Sequence, residues 1–288
     1  MQKGTSVANG LDPDLSQVGT TALIAASARA AESRRTDRLF DDNVASAFLT
    51  GAGWCSSQSH PSAEALGDMF AIRTKFFDDR LTDFARRGGR QLVILGAGLD
   101  SRSLRLEWPQ GTTVFEVDRP GVLGFKESVL DRNAYRPASR RVPVATDLAG
   151  DWRTDLLAAG IATDQPVAWL AEGLLLYLTE DQGGKLVETV TTLGSNGSLL
   201  LIEHLNRVAQ NTPPGNDVTR LVSSHGEPWV SHLDDPARWL DSAGWQADVH
   251  DIRELAKAYA RPVPPIADDR DSSDRRIWCV AATRKPHR

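Results

Sequence analysis

Two cysteines in 288 residues, Cys55 and Cys279, are too few and too widely separated for a disulfide framework, and they make no CxxC pair of the kind that binds zinc. That scarcity fits a reducing, cytoplasmic setting. Long apolar runs are also missing. The one early apolar stretch, Ala22 to Ala31, follows a polar leader and falls short of the ~20 residues a bilayer span needs, so neither a membrane helix nor a secretory signal is expected. Positive charge is not in excess. Lys and Arg number 33 against 38 Asp and Glu, a net charge of -5, which argues against a surface that tracks nucleic-acid phosphates. Basic pairs such as Arg34-Arg35 and Arg140-Arg141 are scattered and flanked by acids, as solvated helix ends and loops are. No internal repeat or low-complexity tract is present.

What remains is ordinary globular composition, 41% hydrophobic and 25% charged, long enough for one large α/β domain. Residues 1 to 18 are polar and aperiodic and are expected to form an N-terminal arm. Thr21 to Arg34 is Ala-rich and favours helix. After a break at Arg34-Arg35-Thr36-Asp37, the residues Phe40, Val44, Ala47 and Phe48 share a helical face. A third helix is expected from about Ala63 to Arg87, interrupted by nothing stronger than Gly67.

The pattern then changes to short apolar runs: Gln91 to Leu95, Thr113 to Val117, Arg141 to Thr146, Pro166 to Ala171 and Ser198 to Ile202. Helical segments separate them, most clearly Asp181 to Leu193. Two late runs, Trp245 to Ile252 and Ile277 to Thr283, bring the count to seven strands. Non-alternating runs between helices predict a mostly parallel sheet covered on both faces. Residues 206 to 236 read as a loop-rich insertion. The expected fold is α/β, with 19–288 as one unit.

In such a sheet, ligands bind beyond the carboxyl ends of the strands. Here the first strand closes on Gly96-Ala97-Gly98, and the next four close on Asp118, Asp147, Glu172 and the pair Glu203-His204. Gly96 and Gly98 permit a sharp turn and close approach of a ligand. Asp118, 20 residues after Gly98, is suited to both hydroxyls of a ribose. Asp147 is suited to an exocyclic amine, with Leu148 beside the ring, and Glu172 to a cationic group. Together these read as an adenosine site with a cationic partner. Strand-end acids also cap helices, so each alone is evenly balanced between the two roles. A dinucleotide fingerprint, and with it a nicotinamide oxidoreductase, fits less well: Ser101 stands where its third glycine belongs, and Asp100 would oppose a pyrophosphate.

The segments Arg29-Ala-Ala-Glu-Ser-Arg-Arg, Arg73-Thr74, Leu95-Gly-Ala-Gly-Leu-Asp-Ser-Arg102, Glu116-Val-Asp118, Thr146-Asp-Leu148 and Ala171-Glu-Gly-Leu-Leu-Leu-Tyr-Leu178 resemble the leucine carboxyl methyltransferase-like family, over residues 20 to 205. Its bacterial branch includes carboxyl O-methyltransferases of polyketide pathways, similar to the tetracenomycin type. The resemblance implies a class I Rossmann-like methyltransferase fold with a helical lid over residues 19–90, and S-adenosylmethionine as cofactor. It implies that Arg73 binds the methionine carboxylate, with Arg34 or a neighbouring basic residue as a second contact. Gly96 and Gly98 would underlie the methionine part, Asp118 the ribose, Asp147 and Leu148 the adenine, and Glu172 would face the amino group. Arg119, where an apolar residue is frequent, is expected to point outward.

The acceptor is expected to be a small molecule, acidic or aromatic, with a protein C-terminus below it. A carboxylate is already ionised at neutral pH and needs no base, whereas a hydroxyl needs one. For a hydroxyl acceptor the best base is His204, ahead of His225 and His232. Tyr177 reads as a wall of the acceptor pocket. Trp229, Trp239 and Trp245 are candidates for an aromatic lining, and Arg207 and Arg220 for attracting an acid. No metal site is expected, since the histidines lack ligand spacing.

Overall fold

The computed structural model describes residues 19–54, 66–137, 139–212, 220, 223, 228–268, 270 and 274–286. The expected arm at 1–18, the residues 63–65 expected to start the third helix, residues 213–219 of the expected insertion and His225 lie outside these. Three helices come first: α1 (Thr20–Ser33), α2 (Asn43–Gly51) and α3 (Gly67–Arg86). The core then alternates β1 (Gln91–Leu95), α4 (Arg102–Arg105), β2 (Thr113–Asp118), α5 (Pro120–Arg132), β3 (Arg140–Ala145), α6 (Trp152–Ala158) and β4 (Val167–Ala171). A 3-10 turn at Leu175–Tyr177 leads to α7 (Glu180–Leu193), β5 (Leu199–Leu205), α8 (Arg207–Asn211), α9 (Pro236–Ser242), β6 (Trp245–Asp251), α10 (Ile252–Ala258) and β7 (Ile277–Arg284).

The seven strands pair in the order β3-β2-β1-β4-β5-β7-β6. β1 to β5 are mutually parallel, and β7 runs antiparallel to both β5 and β6. The chain leaves β1 toward β2 and returns beside it as β4, so the order reverses at β1. That reversal opens a crevice at the carboxyl ends of β1 and β4.

Both sheet faces are packed, which is why the central strands read as unbroken apolar runs. Alternate residues enter separate cores: Leu92 and Ile94 pack with α3 through Phe76, Phe77 and Leu81, while Val93 and Leu95 pack with α7 through Leu186 and Val190. α3 carries its apolar residues at helical spacing, with Met69, Phe70, Phe76, Phe77 and Leu81 all buried. Gly67 opens that helix instead of interrupting it. α2 is started by Asp42, whose side chain accepts from the Ala45 N–H, and α7 by a Thr179–Gln182 capping box.

One boundary matters for the site. The apolar run of β5 ends at Ile202, yet the strand continues to Leu205 because β7 extends the ladder, with Glu203 opposite Cys279 and His204 opposite Trp278. Glu203 and His204 therefore lie within a strand.

Candidate active site

A cavity of about 540 Å³ opens at the carboxyl rim of β1, β2, β4 and β5, within the size range of small-molecule sites. Gly96, Gly98, Asp118, Asp147, Leu148, Glu172, Arg73 and Tyr177 all line it. Helix α1 contributes Ala22, Ile24 and Arg29 to its opposite wall.

The floor is a turn that needs glycine. Gly96 and Gly98 have φ of 64° and 44°, and a Cβ on Gly96 would come within 3.1 Å of Leu174 Cδ1. The Gly98 N–H donates to Asp118 Oδ2 at 2.6 Å, and the Arg119 N–H donates to Oδ1 at 2.7 Å. Asp118 thus ties the β1 turn to the end of β2. It does not cap the next helix, whose N-cap is Arg119 without a side-chain bond. Asp147 accepts from the Ala149 N–H at 2.9 Å, while helix α6 is capped by Asp151, so Asp147 is no cap either. Arg119 is exposed at the cavity rim.

The deep side of the cavity is ionic. Arg73 is 6% exposed; its Nε donates to Glu172 Oε1 at 2.8 Å, its Nη1 donates to Glu203 Oε2 at 2.6 Å, and its guanidinium lies 4.6 Å from the Phe70 ring centroid. Glu172 Oε2 lies 2.7 Å from Arg102 Nη2. Arg102 also pairs with Asp100 and Asp78, Arg105 joins Asp78 to Asp42, and Arg29 closes the chain on Asp42 at 2.8 Å. One connected network so runs from β5 to helix α1. Burial works against the Arg73 charge, but Glu203 and then Glu172 more than offset it and raise its pKa. Burial pushes Glu172 up, yet Arg102 and Arg73 outweigh this and hold it below its ordinary value. Burial likewise opposes the Asp100 charge, and Arg102 brings that carboxyl down to about 2. Asp100 is thus a paired acid, so its opposition to a phosphate is weaker than a free carboxylate's.

Two sequence expectations are corrected here. Arg34 ends α1 as an exposed C-cap and is not among the described residues lining the cavity; the arginine of that segment facing the cavity is Arg29, five positions earlier on the helix. His204 is not at the cavity either. It lines a separate pocket of about 260 Å³ together with Ser231, His232, Arg207 and Trp239. Its Nδ1 accepts from the Leu205 N–H at 2.9 Å, which leaves the proton on Nε2, 3.2 Å from Ser231 Oγ. Burial brings this imidazole down to about 4. Of the three tryptophans named from sequence, only Trp229 reaches the main cavity; Trp245 is buried and donates to Thr191. Tyr177 donates its hydroxyl to Thr21 Oγ1 at 2.9 Å, joining the β4–α7 loop to α1.

Glu203 and Trp229 are two wall residues to which the sequence reading assigns no binding role or only a generic one. For Glu203 the signal is present, since it closes the fifth apolar run just as Glu172 closes the fourth. For Trp229 there is none beyond residue type. It reaches the cavity because residues 228–233 run beside the 3-10 turn, with the Val230 N–H donating to Leu176 O and Ser231 Oγ to Leu175 O.

A sheet of this order with one antiparallel strand, and a cavity at its switch point, defines a Rossmann-like methyltransferase fold. A DUF574 family protein from Streptomyces avermitilis shares it, with a TM-score of 0.61 over 95% of this chain and 100% of that one at 16% identity. So does the magnesium protoporphyrin IX methyltransferase of Synechocystis, solved with bound S-adenosylhomocysteine, with a TM-score of 0.50 over 83% and 93% of the two chains at 12% identity. The leucine carboxyl methyltransferase family profile matches residues 22–191, and the chain belongs to that family. A relative from Parafrankia, named as an S-adenosyl-L-methionine-dependent methyltransferase, is 41% identical over 270 residues, 87% of this chain and 84% of its own. A Streptomyces coelicolor relative with the same name is 41% identical over 89% of this chain and 93% of its own. Family membership sets aside the nicotinamide oxidoreductase alternative.

Proposed function

We propose that the chain uses S-adenosylmethionine to methylate a carboxylate oxygen of a small-molecule acceptor, giving a methyl ester on an acidic or aromatic secondary metabolite of the polyketide kind. The residues present fit the cofactor: the Gly96–Gly98 turn leaves room where side chains would intrude, and along the same cavity Asp118 would hold the ribose, Asp147 with Leu148 the adenine, and Arg73 the methionine carboxylate. When bound, the cofactor supplies an electrophilic methyl group on a sulfonium.

The protein's own task is to bind, orient and dry the reactants. Ile24, Leu66, Met69, Phe70, Leu176 and Trp229, members of one apolar cluster, form an apolar part of the cavity wall. Such a wall lowers the local dielectric and favours the approach of an anion to a cation. Helices α1 and α3 cover the cavity and hold the acceptor in line, a contribution that can reach several kcal/mol.

The observation that carries the ester reading is the orientation of His204. With its imidazole turned into the other pocket, no histidine among the described residues lines the cavity. An acceptor that is already ionised needs none. The test is a labelled-methyl assay on candidate acids and hydroxyl compounds, followed by mild alkali. Release of labelled methanol marks an ester; alkali-stable label would replace this reading with ether formation.

A further inference from the structure

The acid closing the fourth strand is the residue from which sequence reading expects a contact to the cofactor's amino group. The geometry points elsewhere. Both oxygens of Glu172 face a cation: Oε1 accepts a hydrogen bond from Arg73 at 2.8 Å, and Oε2, though it has no hydrogen bond among the described residues, is ion-paired with Arg102 Nη2 at 2.7 Å. Asp100 is committed to Arg102 through its backbone N–H and its guanidinium. Asp118 accepts from two backbone N–H groups. Glu203 differs. Its Oε2 accepts from Arg73 and, at 3.2 Å, from the Gly173 N–H, but Oε1 has no hydrogen-bond or ion-pair partner among the described residues. The side chain is only 1% exposed and belongs to the cavity wall. A buried carboxylate oxygen left without a donor is costly, and native proteins keep few such groups, each completed by a ligand, an ion or an ordered water.

Charge counting agrees. The connected network holds Arg29, Arg73, Arg102 and Arg105 against Asp42, Asp78, Asp100, Glu172 and Glu203, which leaves one formal negative charge in excess. S-adenosylmethionine, with a sulfonium, an ammonium and a carboxylate, carries one net positive charge. Burial pushes the Glu203 carboxyl up, offset only in part by Arg73, as expected for an acid whose counter-ion is still to arrive. Arg73 cannot neutralise both of its partners.

We infer that Glu203, through Oε1, takes the cofactor's amino group, and that Glu172 is a positioning residue that fixes Arg73 and Arg102. This rests on S-adenosylmethionine as cofactor and is independent of the acceptor.

The test is a ligand–mutation cycle on the full chain, read as Kd by calorimetry. The probes are S-adenosylhomocysteine and its des-amino analogue, in which hydrogen replaces the amino group. Glu203→Gln should weaken S-adenosylhomocysteine about tenfold or more, the scale of a lost charged hydrogen bond, and leave the des-amino analogue nearly unchanged. Glu172→Gln should weaken both probes by the same factor. If Glu203→Gln does not fold, Glu203→Asp keeps the charge facing Arg73 but shortens the reach, and must show the same amino-selective loss. Equal effects of the Glu203 variants on the two probes, or an amino-selective loss in Glu172→Gln, overturns the inference. Failure of the unmutated chain to bind S-adenosylhomocysteine at all would instead sink the cofactor reading.

Discussion

Glu203 and His204 are consecutive residues of β5 whose side chains enter different cavities, Glu203 the 540 Å³ cleft with Arg73 and His204 the 260 Å³ pocket with Ser231. Side chains alternate faces along a strand, so one residue of difference decides which group enters the larger cleft. The cleft receives an acid bound to an arginine. The imidazole instead ties the 228–233 segment to the sheet, through Ser231 Oγ and onward to the Leu175 carbonyl.

That placement has a pH signature. The folded-state pKa of His204 is about 4, below the ~6.5 of an unfolded chain. Between those values the unfolded state binds the extra proton, so stability rises with pH and is lost as pH falls through the window. From pH 7 to pH 5 this one group should cost about 2 kcal/mol. His204→Gln has no such term. Its stability, read by urea unfolding at the two pH values, should fall less than that of the unmutated protein, although its value at pH 7 is lower. Carboxylates titrate in both proteins and cancel in the comparison. Identical pH slopes would mean that the imidazole is not buried neutral.

Arg73 should be a stability residue as well as a ligand residue. Arg73→Ala strands Glu203 and leaves Glu172 with Arg102 as its one ion-pair partner among the described residues, and both acids have side chains at most 10% exposed. Removing one partner from such a buried cluster costs about 3–5 kcal/mol. The variant should therefore unfold at markedly lower denaturant and lose cofactor affinity together. An unchanged unfolding midpoint would show that the network is looser than its distances indicate.

The strands were legible because burial on both faces leaves a simple trace, four or five apolar residues between turn signals. Gln91–Leu95 and Trp245–Asp251 emerge within a residue of the expected ends. Asp118, Asp147 and Glu172 were legible for the same reason, since a strand's end is where its apolar run stops. Glu203 shows the limit of that rule: β7 carries the ladder past the apolar run, and the first acid beyond it still lies inside the strand. Arg29 against Arg34 shows another. Both belong to one basic helix segment, and only the packing of α1 on the cleft decides which of them faces it. Trp229 was legible only as one of three candidate tryptophans, because which of them enters the cleft follows from pairing between the 228–233 segment and a 3-10 turn more than fifty residues earlier.

Trp229 should report on the acceptor. It is 8% exposed, lines the cleft, and its indole N–H has no partner among the described residues. Trp229→Phe keeps most of the apolar wall and removes that donor. Stability should change by about 1 kcal/mol or less, because an unsatisfied buried donor contributes nothing favourable to lose. Cofactor affinity should hold while the acceptor KM rises. A lower cofactor affinity with unchanged KM would place the indole on the wrong side of the cleft.

Asp118 separates two roles in one carboxylate. Oδ2 holds the Gly98 N–H at 2.6 Å, so the residue shapes the glycine turn before any ligand arrives. It also has the charge that ribose hydroxyls seek. Asp118→Asn can keep an oxygen for Gly98 but gives up the charge, whereas Asp118→Ala gives up both. The Asn variant should stay folded and weaken S-adenosylhomocysteine by roughly 1–2 kcal/mol, the difference between charged and neutral hydrogen bonds. The Ala variant should weaken it further, since the turn then relaxes and the Gly98 N–H loses its partner. Titrating both variants with adenosine and with 2′-deoxyadenosine locates the loss. If the 2′-hydroxyl contact is made by Asp118, the unmutated protein prefers adenosine and the preference shrinks in both variants. A preference that survives both substitutions would move the ribose away from Asp118 and leave that acid as a clamp on the turn alone.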